Sequence, residues 1–318
     1  MRQLFKIEKK AEKGLFAYEW VMLAYMLLTF VVIFFCYTNV QNPNAMIWGR
    51  VRILILTTAA YAVYRMVPCR LTRLVRAVLQ LALLSWWYPD TYEINRMFPN
   101  LDHLFAQWEQ QLFLCQPALL FSQWLPQAWF SELMDLGYTS YFPMIAAVGV
   151  FYFFCRYEEF HRTVFIILAS FFIYYVVFIF LPVTGPQYYY GAIGLDNVAQ
   201  GVFPNIHDYF NHTMERMENP GYTDGFFYQM VVDAHVGERP TAAFPSSHVG
   251  VSTVLMLLAW HSGSRRLFYI LLPFFILMFF STVYIQAHYA IDAIAGLITG
   301  VILYFCLSFY QRKKEFKM

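Results

Sequence analysis

Across 318 residues, 59% of the side chains are hydrophobic, 20% aromatic and only 13% charged. A soluble domain carries about 25% charged residues, so a water-soluble globule is excluded and the apolar excess belongs in lipid. A net charge of +2, with no basic helix and no zinc-finger spacing, excludes a nucleic-acid binder.

The segment Met1 to Gly14 is basic and leads into a long apolar run without a small-residue cleavage site, which reads as a retained span and not a removed signal peptide. A bilayer core of about 30 Å takes roughly 20 apolar residues as helix. Candidate spans fall at about 16–38, 51–66, 73–89, 136–155, 163–182, 246–261, 267–286 and 288–309. Trp86, Trp87 and Tyr88 close the third span in the manner of an aromatic belt. The stretch 104–131 mixes Trp108, Trp124 and Trp129 with glutamines such as Gln110 and Gln123, and Pro117 and Pro126 interrupt it. It reads as an interfacial helix or re-entrant segment, with a ninth span as the alternative. Cys36, Cys69, Cys115, Cys155 and Cys306 form no CxxC pair, so neither a disulfide framework nor a zinc site is supported.

Eight spans place 17 of the 22 Lys and Arg on one side: the N-terminus (Arg2 to Lys13), Arg65 to Arg76, Arg156 and Arg162, Arg265 and Arg266, and the tail from Arg312. By the positive-inside rule both termini are cytoplasmic. The loop 183–245 and the starts of the last-but-two and last spans, at Pro245 and His288, then share the extracytoplasmic face.

Two motifs meet on that face. His288 and Asp292 are four apart and share one side of a helix. A carboxylate beside an imidazole sets its tautomer and leaves the other nitrogen free for attack or proton transfer. Alone, the pair also reads as a plain interfacial polar pair, but ionisable residues in a span are costly and usually functional. Pro245-Ser246-Ser247-His248 reads as the first turn of a helix, with Pro in a position where its missing N–H is not needed. Exposed N–H groups and serine hydroxyls there attract anions, the alternative being an ordinary Ser-capped span. Two histidines, a carboxylate and a phosphate-sized cradle suit cleavage of a phosphate ester through a histidine nucleophile.

These residues resemble the type 2 phosphatidic acid phosphatase superfamily over roughly 136–309. Pro245 to His248 match its PSGH motif with serine for glycine. Ser281, His288 and Asp292 match the spacing of its Ser-Arg-x5-His-x3-Asp motif, with Thr282 at the arginine position. Its Lys-x6-Arg-Pro motif is met only by Arg239-Pro240, with Val232 at the lysine position. The departures, together with Leu181 to Pro186 and Tyr289 to Asp292, look like the branch containing inositol phosphorylceramide synthases. The resemblance implies a two-step reaction without metal or cofactor. In it His288 is the nucleophile, Asp292 orients it, and His248 is the acid and then the base. Arg239, Ser246 and Ser247 remain as phosphate-binding candidates, with Gln187, Tyr284 and Gln286 as possible helpers.

Among other histidines, His207, His212 and His235 in the loop read as solvated polar residues, and His103, His161 and His261 sit at span ends. Tyr188 to Tyr190 and Phe226 to Tyr228 give the loop an aromatic surface, either a lid over a lipid head group or an interfacial cap. Asn211-His212-Thr213 is a glycosylation sequon.

The expectation is an all-α polytopic membrane helical bundle of about eight transmembrane helices. Residues 1–72 form a basic segment with two accessory spans, and 73–318 form a catalytic core of six helices carrying the loop 183–245. The expected partners are the membrane, a phospholipid or lipid phosphate substrate, and a ceramide or other lipid acceptor if the reaction is transfer. Simple hydrolysis of a lipid phosphate or polyprenyl diphosphate is the alternative, and a non-catalytic lipid-binding or transport protein with the same fold is the second. The sequence carries no signal of oligomeric state.

Overall fold

The computed structural model describes residues 4–8 and 11–315, with side chains to Gln311. Among the described residues the chain is helical without a strand. Two long helices, α1 (Ala17–Phe35) and α2 (Pro43–Met66), come first. A run broken at Leu83 follows as α3 (Arg70–Ala82) and α4 (Leu84–Asn95). Three short helices, α5 (Asp102–Phe113), α6 (Pro117–Trp124) and α7 (Ala128–Thr139), lead to α8 (Tyr141–Cys155) and α9 (Tyr157–Phe180). The loop region holds α10 (Pro186–Ile193), α11 (Leu195–Ala199), a 3-10 turn at Tyr209–Asn211 and α12 (Phe226–Ala234). The bundle closes with α13 (Ser247–His261), α14 (Arg265–Tyr284) and α15 (Ala290–Glu315).

Five helices, α1, α2, α9, α14 and the Ala290–Gln311 part of α15, are long and apolar enough to cross a bilayer. The pair α7–α8, bent by 46°, makes a sixth if taken as one span. The other two expected spans have a different character. The 73–89 run is split at Leu83, and α3 carries buried Arg73, Arg76 and Gln80. Helix α13 has 15 residues, about 22 Å, shorter than the bilayer core. It packs against α8, α9, α14 and α15 at the centre of the bundle and need not meet lipid along its length. The second span starts at Pro43, earlier than the apolar run, because Pro suits a first turn. The mixed 104–131 stretch forms α5, α6 and the start of α7, with Trp108, Trp124 and Trp129 exposed.

Helices α13 and α15 approach closely because glycines line their contact. A Cβ at Gly296 would stand 2.5 Å from the Ser246 carbonyl oxygen, and one at Gly300 would collide with the Gly250 carbonyl. Small residues let helix backbones meet in this way, and the contact ties the start of α13 to the first turns of α15.

The basic residues gather at the end where α13 finishes. Arg73 pairs with Glu8 at 2.6 Å and Arg76 with Glu19, whose other contact accepts the Phe16 N–H at the start of α1. Arg156 donates to the Ser262 carbonyl at 2.8 Å. At the opposite end Arg96 donates to the Asn211 carbonyl and Arg239 pairs with Glu93. Arg2, Lys9, Lys10 and Lys317, and the side chains of Arg312, Lys313 and Lys314, lie outside the described residues.

Candidate active site

The first turn of α13 is built around Ser246. Ser246 is the N-cap: its hydroxyl accepts the Val249 N–H at 3.4 Å and its own N–H donates to the Asp292 carbonyl at 3.0 Å. Pro245 therefore precedes the cap and is not in the first turn as the sequence suggested. Ser246 is fully buried, whereas Ser247 and His248 line a cavity. The His248 ring packs on Tyr138 and Tyr141, with centroids 4.8 Å and 4.5 Å away. Its centroid lies 5.8 Å from that of His288.

His288 sits in the turn between α14 and α15, its N–H donating to the Thr282 carbonyl at 3.0 Å. Its Nδ1 stands 3.6 Å from Asp292 Oδ2, which accepts the Tyr289 N–H at 2.9 Å. Catalytic hydrogen bonds in ligand-free enzymes are often this long and tighten with substrate. His248, His288 and Asp292 thus come together from two elements 40 residues apart.

Two acids on α5 hold this turn. Glu109 accepts the N–H groups of Ala290 (2.9 Å) and Ile291 (3.1 Å), occupying the N-terminus of α15. Asp102, one face along the same helix, is fully buried and accepts five donors. These are Thr184 N–H (2.7 Å) and hydroxyl (2.8 Å), Gly185 N–H (2.8 Å), Asn100 Nδ2 (2.6 Å) and the Tyr289 hydroxyl (3.0 Å). Gly185 is needed there: its φ is +97°, and a Cβ would stand 2.7 Å from the Ala287 carbonyl, beside His288. Burial pushes the Glu109 carboxyl up to about 7, against the pull of its two N–H donors. Neither acid was visible as a site residue, because Glu109 lies in a stretch whose pattern reads as interface and Asp102 just before it.

The loop end contributes a charged roof. Arg239 lines the cavity, pairs with Glu93 and lies over the Tyr92 ring. Glu238 faces Arg216 at 3.8 Å and His235 at 3.5 Å, and His235 also meets the Tyr138 hydroxyl at 3.3 Å. The sequence reading of His235 as solvated is overturned: it is buried and lines the cavity, because α12 folds back over Tyr138. Burial, with Arg216 nearby, lowers its pKa to about 3, so it is neutral, and burial raises Glu238 to about 7. His207 and His212 are solvent-facing as expected. Tyr188, Tyr189 and Tyr190 are buried and form no aromatic surface, Tyr188 lining the cavity, whereas Phe226 is exposed.

Of the possible helpers, Gln187 lines the cavity and donates to the Met217 carbonyl and to Asn219. The Tyr284 hydroxyl is committed to the Leu125 carbonyl, and Gln286 is buried away from the cavity lining. The Nδ1 atoms of His235, His248 and His288 have no hydrogen-bond partner among the described residues. The cavity they share has a volume of about 770 Å³.

A family model described as the PAP2 superfamily matches residues 103–306. The chain belongs to the PAP2 superfamily. No curated protein and no solved structure matches it. The match takes in Glu109, Arg239, His248, His288 and Asp292 and leaves out α1 to α4. Against the PAP2 motifs, Thr282 is no substitute for the arginine: it is buried and its hydroxyl donates to the Phe279 carbonyl. Val232 lies on α12 with no charge to offer. Arg239 is the PAP2-motif cation that reaches the cavity, with Arg216 behind Glu238.

Proposed function

We propose that this PAP2 chain cleaves a lipid phosphate ester through a phosphohistidine. The observation that carries the reading is the facing pair His248 and His288, with Asp292 behind His288, at the polar end of an otherwise apolar cavity. In the first step the His288 nitrogen remote from Asp292 attacks phosphorus. The P–O bond to the lipid breaks, and His248, protonated once the anionic phosphate is bound beside it, gives its proton to the departing oxygen. In the second step His248 takes a proton from the acceptor hydroxyl, whose oxygen displaces the histidine from phosphorus. In this reading Arg239, the Ser247 hydroxyl and the N-terminus of α13 stabilise the charge on the transferring phosphoryl group; Ser246 acts through the cap it forms. The gathering of Lys and Arg at the end where α13 finishes favours cytoplasmic termini and an extracytoplasmic site.

Water as acceptor gives a phosphatase. The second reading is transfer of a phosphoinositol head group to a ceramide-type hydroxyl. It is favoured by Ser247 and Thr282 at the variant motif positions and by His235, a neutral imidazole in the same cavity able to hold a hydroxyl. The purified protein is offered phosphatidic acid, a polyprenyl diphosphate, and phosphatidylinositol with ceramide, beside His288→Ala, with products read by mass spectrometry. Free phosphate lost in the variant establishes hydrolysis, and a new head-group-bearing lipid with released diacylglycerol establishes transfer. No His288-dependent product from any of them rejects the proposal for these substrates.

A further inference from the structure

The following rests on the reading of the substrate as a lipid phosphate. Away from His248 and His288, the cavity continues as an apolar groove between three helices. Its floor is one face of α9, made of Phe160, Val164, Ile167, Phe171 and Tyr175, all buried. Helix α8 supplies one wall through Tyr141, Ile145, Gly149 and Phe153, and α3–α4 the other through Leu74, Val78, Leu81 and Ser85. Each set recurs at steps of three or four residues, as one helix face does. Charged and imidazole side chains line only the end where His248 and His288 stand. The α3–α4 wall precedes residue 103, so the family match does not specify this groove.

The dimensions select an occupant. From Phe160 to Tyr175 along α9 is about 22 Å. An alkyl chain extended like polypeptide advances about 1.2 Å per bond, which makes the groove roughly 18 carbons long. At about 30 Å³ for each methylene-sized group, such a chain takes up some two thirds of the 770 Å³. The remainder leaves room for a phosphate head group at the histidine end. We propose that the groove holds one extended hydrocarbon tail of the substrate and selects for tails of about 16–18 carbons. Gly149 keeps it open at mid-length: a Cβ there meets nothing within 4 Å. It lies about 12 Å along α8 from Tyr141, so a large side chain at 149 stops a tail near its tenth carbon.

Single-tailed alkyl phosphates of 8, 12, 16 and 18 carbons are compared on full-length protein in phosphatidylcholine nanodiscs. The wild type gains kcat/KM with length up to about 18 carbons. Gly149→Phe, or Val78→Trp from the opposite wall, lowers kcat/KM for the 18-carbon substrate at least tenfold and leaves the 8-carbon substrate unchanged. An equal effect on both lengths in both variants, or none, overturns the proposal. A second measurement is independent of turnover. A 16-carbon alkyl phosphate with a terminal diazirine labels Leu74, Phe153 or Phe160 in the wild type and loses these adducts in Gly149→Phe. Labelling confined to outward helix faces and indifferent to position 149 means annular lipid only, and overturns the groove. Failure of every alkyl phosphate to turn over rejects hydrolysis as the reaction, while the adduct pattern still decides the groove.

Discussion

Replacing Asp102 with Asn tests how far the His288 turn, and the activity proposed for it, depends on a carboxylate that touches neither histidine. The amide is the same size, but one acceptor oxygen becomes a donor. With the amide nitrogen in place of Oδ1 it faces the Gly185 N–H and the Tyr289 hydroxyl; in place of Oδ2 it faces the Thr184 N–H and hydroxyl and Asn100. Hydroxyls can rotate to accept, but a backbone N–H cannot, so either orientation orphans one buried N–H. That costs about 1–3 kcal/mol, a fall of several degrees in Tm. The Tyr289 tether slackens with it, and Tyr289 adjoins His288. Misplacement by about 1 Å costs about a hundredfold in rate, so kcat is expected to drop roughly 10- to 100-fold with KM little changed. The assay is turnover of the lipid phosphate identified by the product screen, with thermal unfolding in the same detergent, and Tyr289→Phe as the milder companion. Wild-type kcat in an Asp102→Asn protein of lowered Tm would refute the positioning role. An unchanged Tm would refute the buried network itself.

Three further outcomes follow from the geometry. Gly296→Ala forces a methyl against the Ser246 carbonyl and is expected to destabilise by about 1–3 kcal/mol. Gly149→Ala, in open space, is expected to hold or raise Tm through better helix propensity, and thermal unfolding separates the two. Arg239→Gln is expected to lower kcat/KM 10- to 100-fold, with Arg239→Lys restoring only part because a point charge cannot match the guanidinium fork; steady-state kinetics with a lipid phosphate decides. Glu238 has its pKa raised to about 7 by burial, so the folded protein binds the extra proton. Stability therefore declines as pH rises from about 4.5 to 7, and Glu238→Gln is expected to flatten that slope in unfolding measured across the window.

The long apolar runs made α1, α2, α9, α14 and α15 legible, since nothing but a span or a buried core accommodates them. The histidines and Asp292 were legible because ionisable groups at the start of such runs need a reason to be there. What pattern could not supply was contact across the fold. Tyr138 and Tyr141 pack on His248 from a helix pair that reads only as apolar. His235 looked solvated because its neighbours are polar, yet α12 folds it inward. Asp102 and Glu109 sit among tryptophans and glutamines whose mixed character points to an interface and says nothing of partners 180 residues away. The break at Leu83 was hidden because apolar residues run without interruption across it, from Leu81 to Leu84.

Membranes differ in thickness by a few ångströms, and spanning helices answer by tilting. Here the turns that carry His248 and His288 ride on helices clasped backbone to backbone at Gly250, Gly296 and Gly300, with the Ser246 N–H bonded to the Asp292 carbonyl. Tilt then carries both turns together, as a hinge pin carries both leaves. Exchange of one bilayer for another is therefore expected to leave the distance between His248 and His288 unchanged.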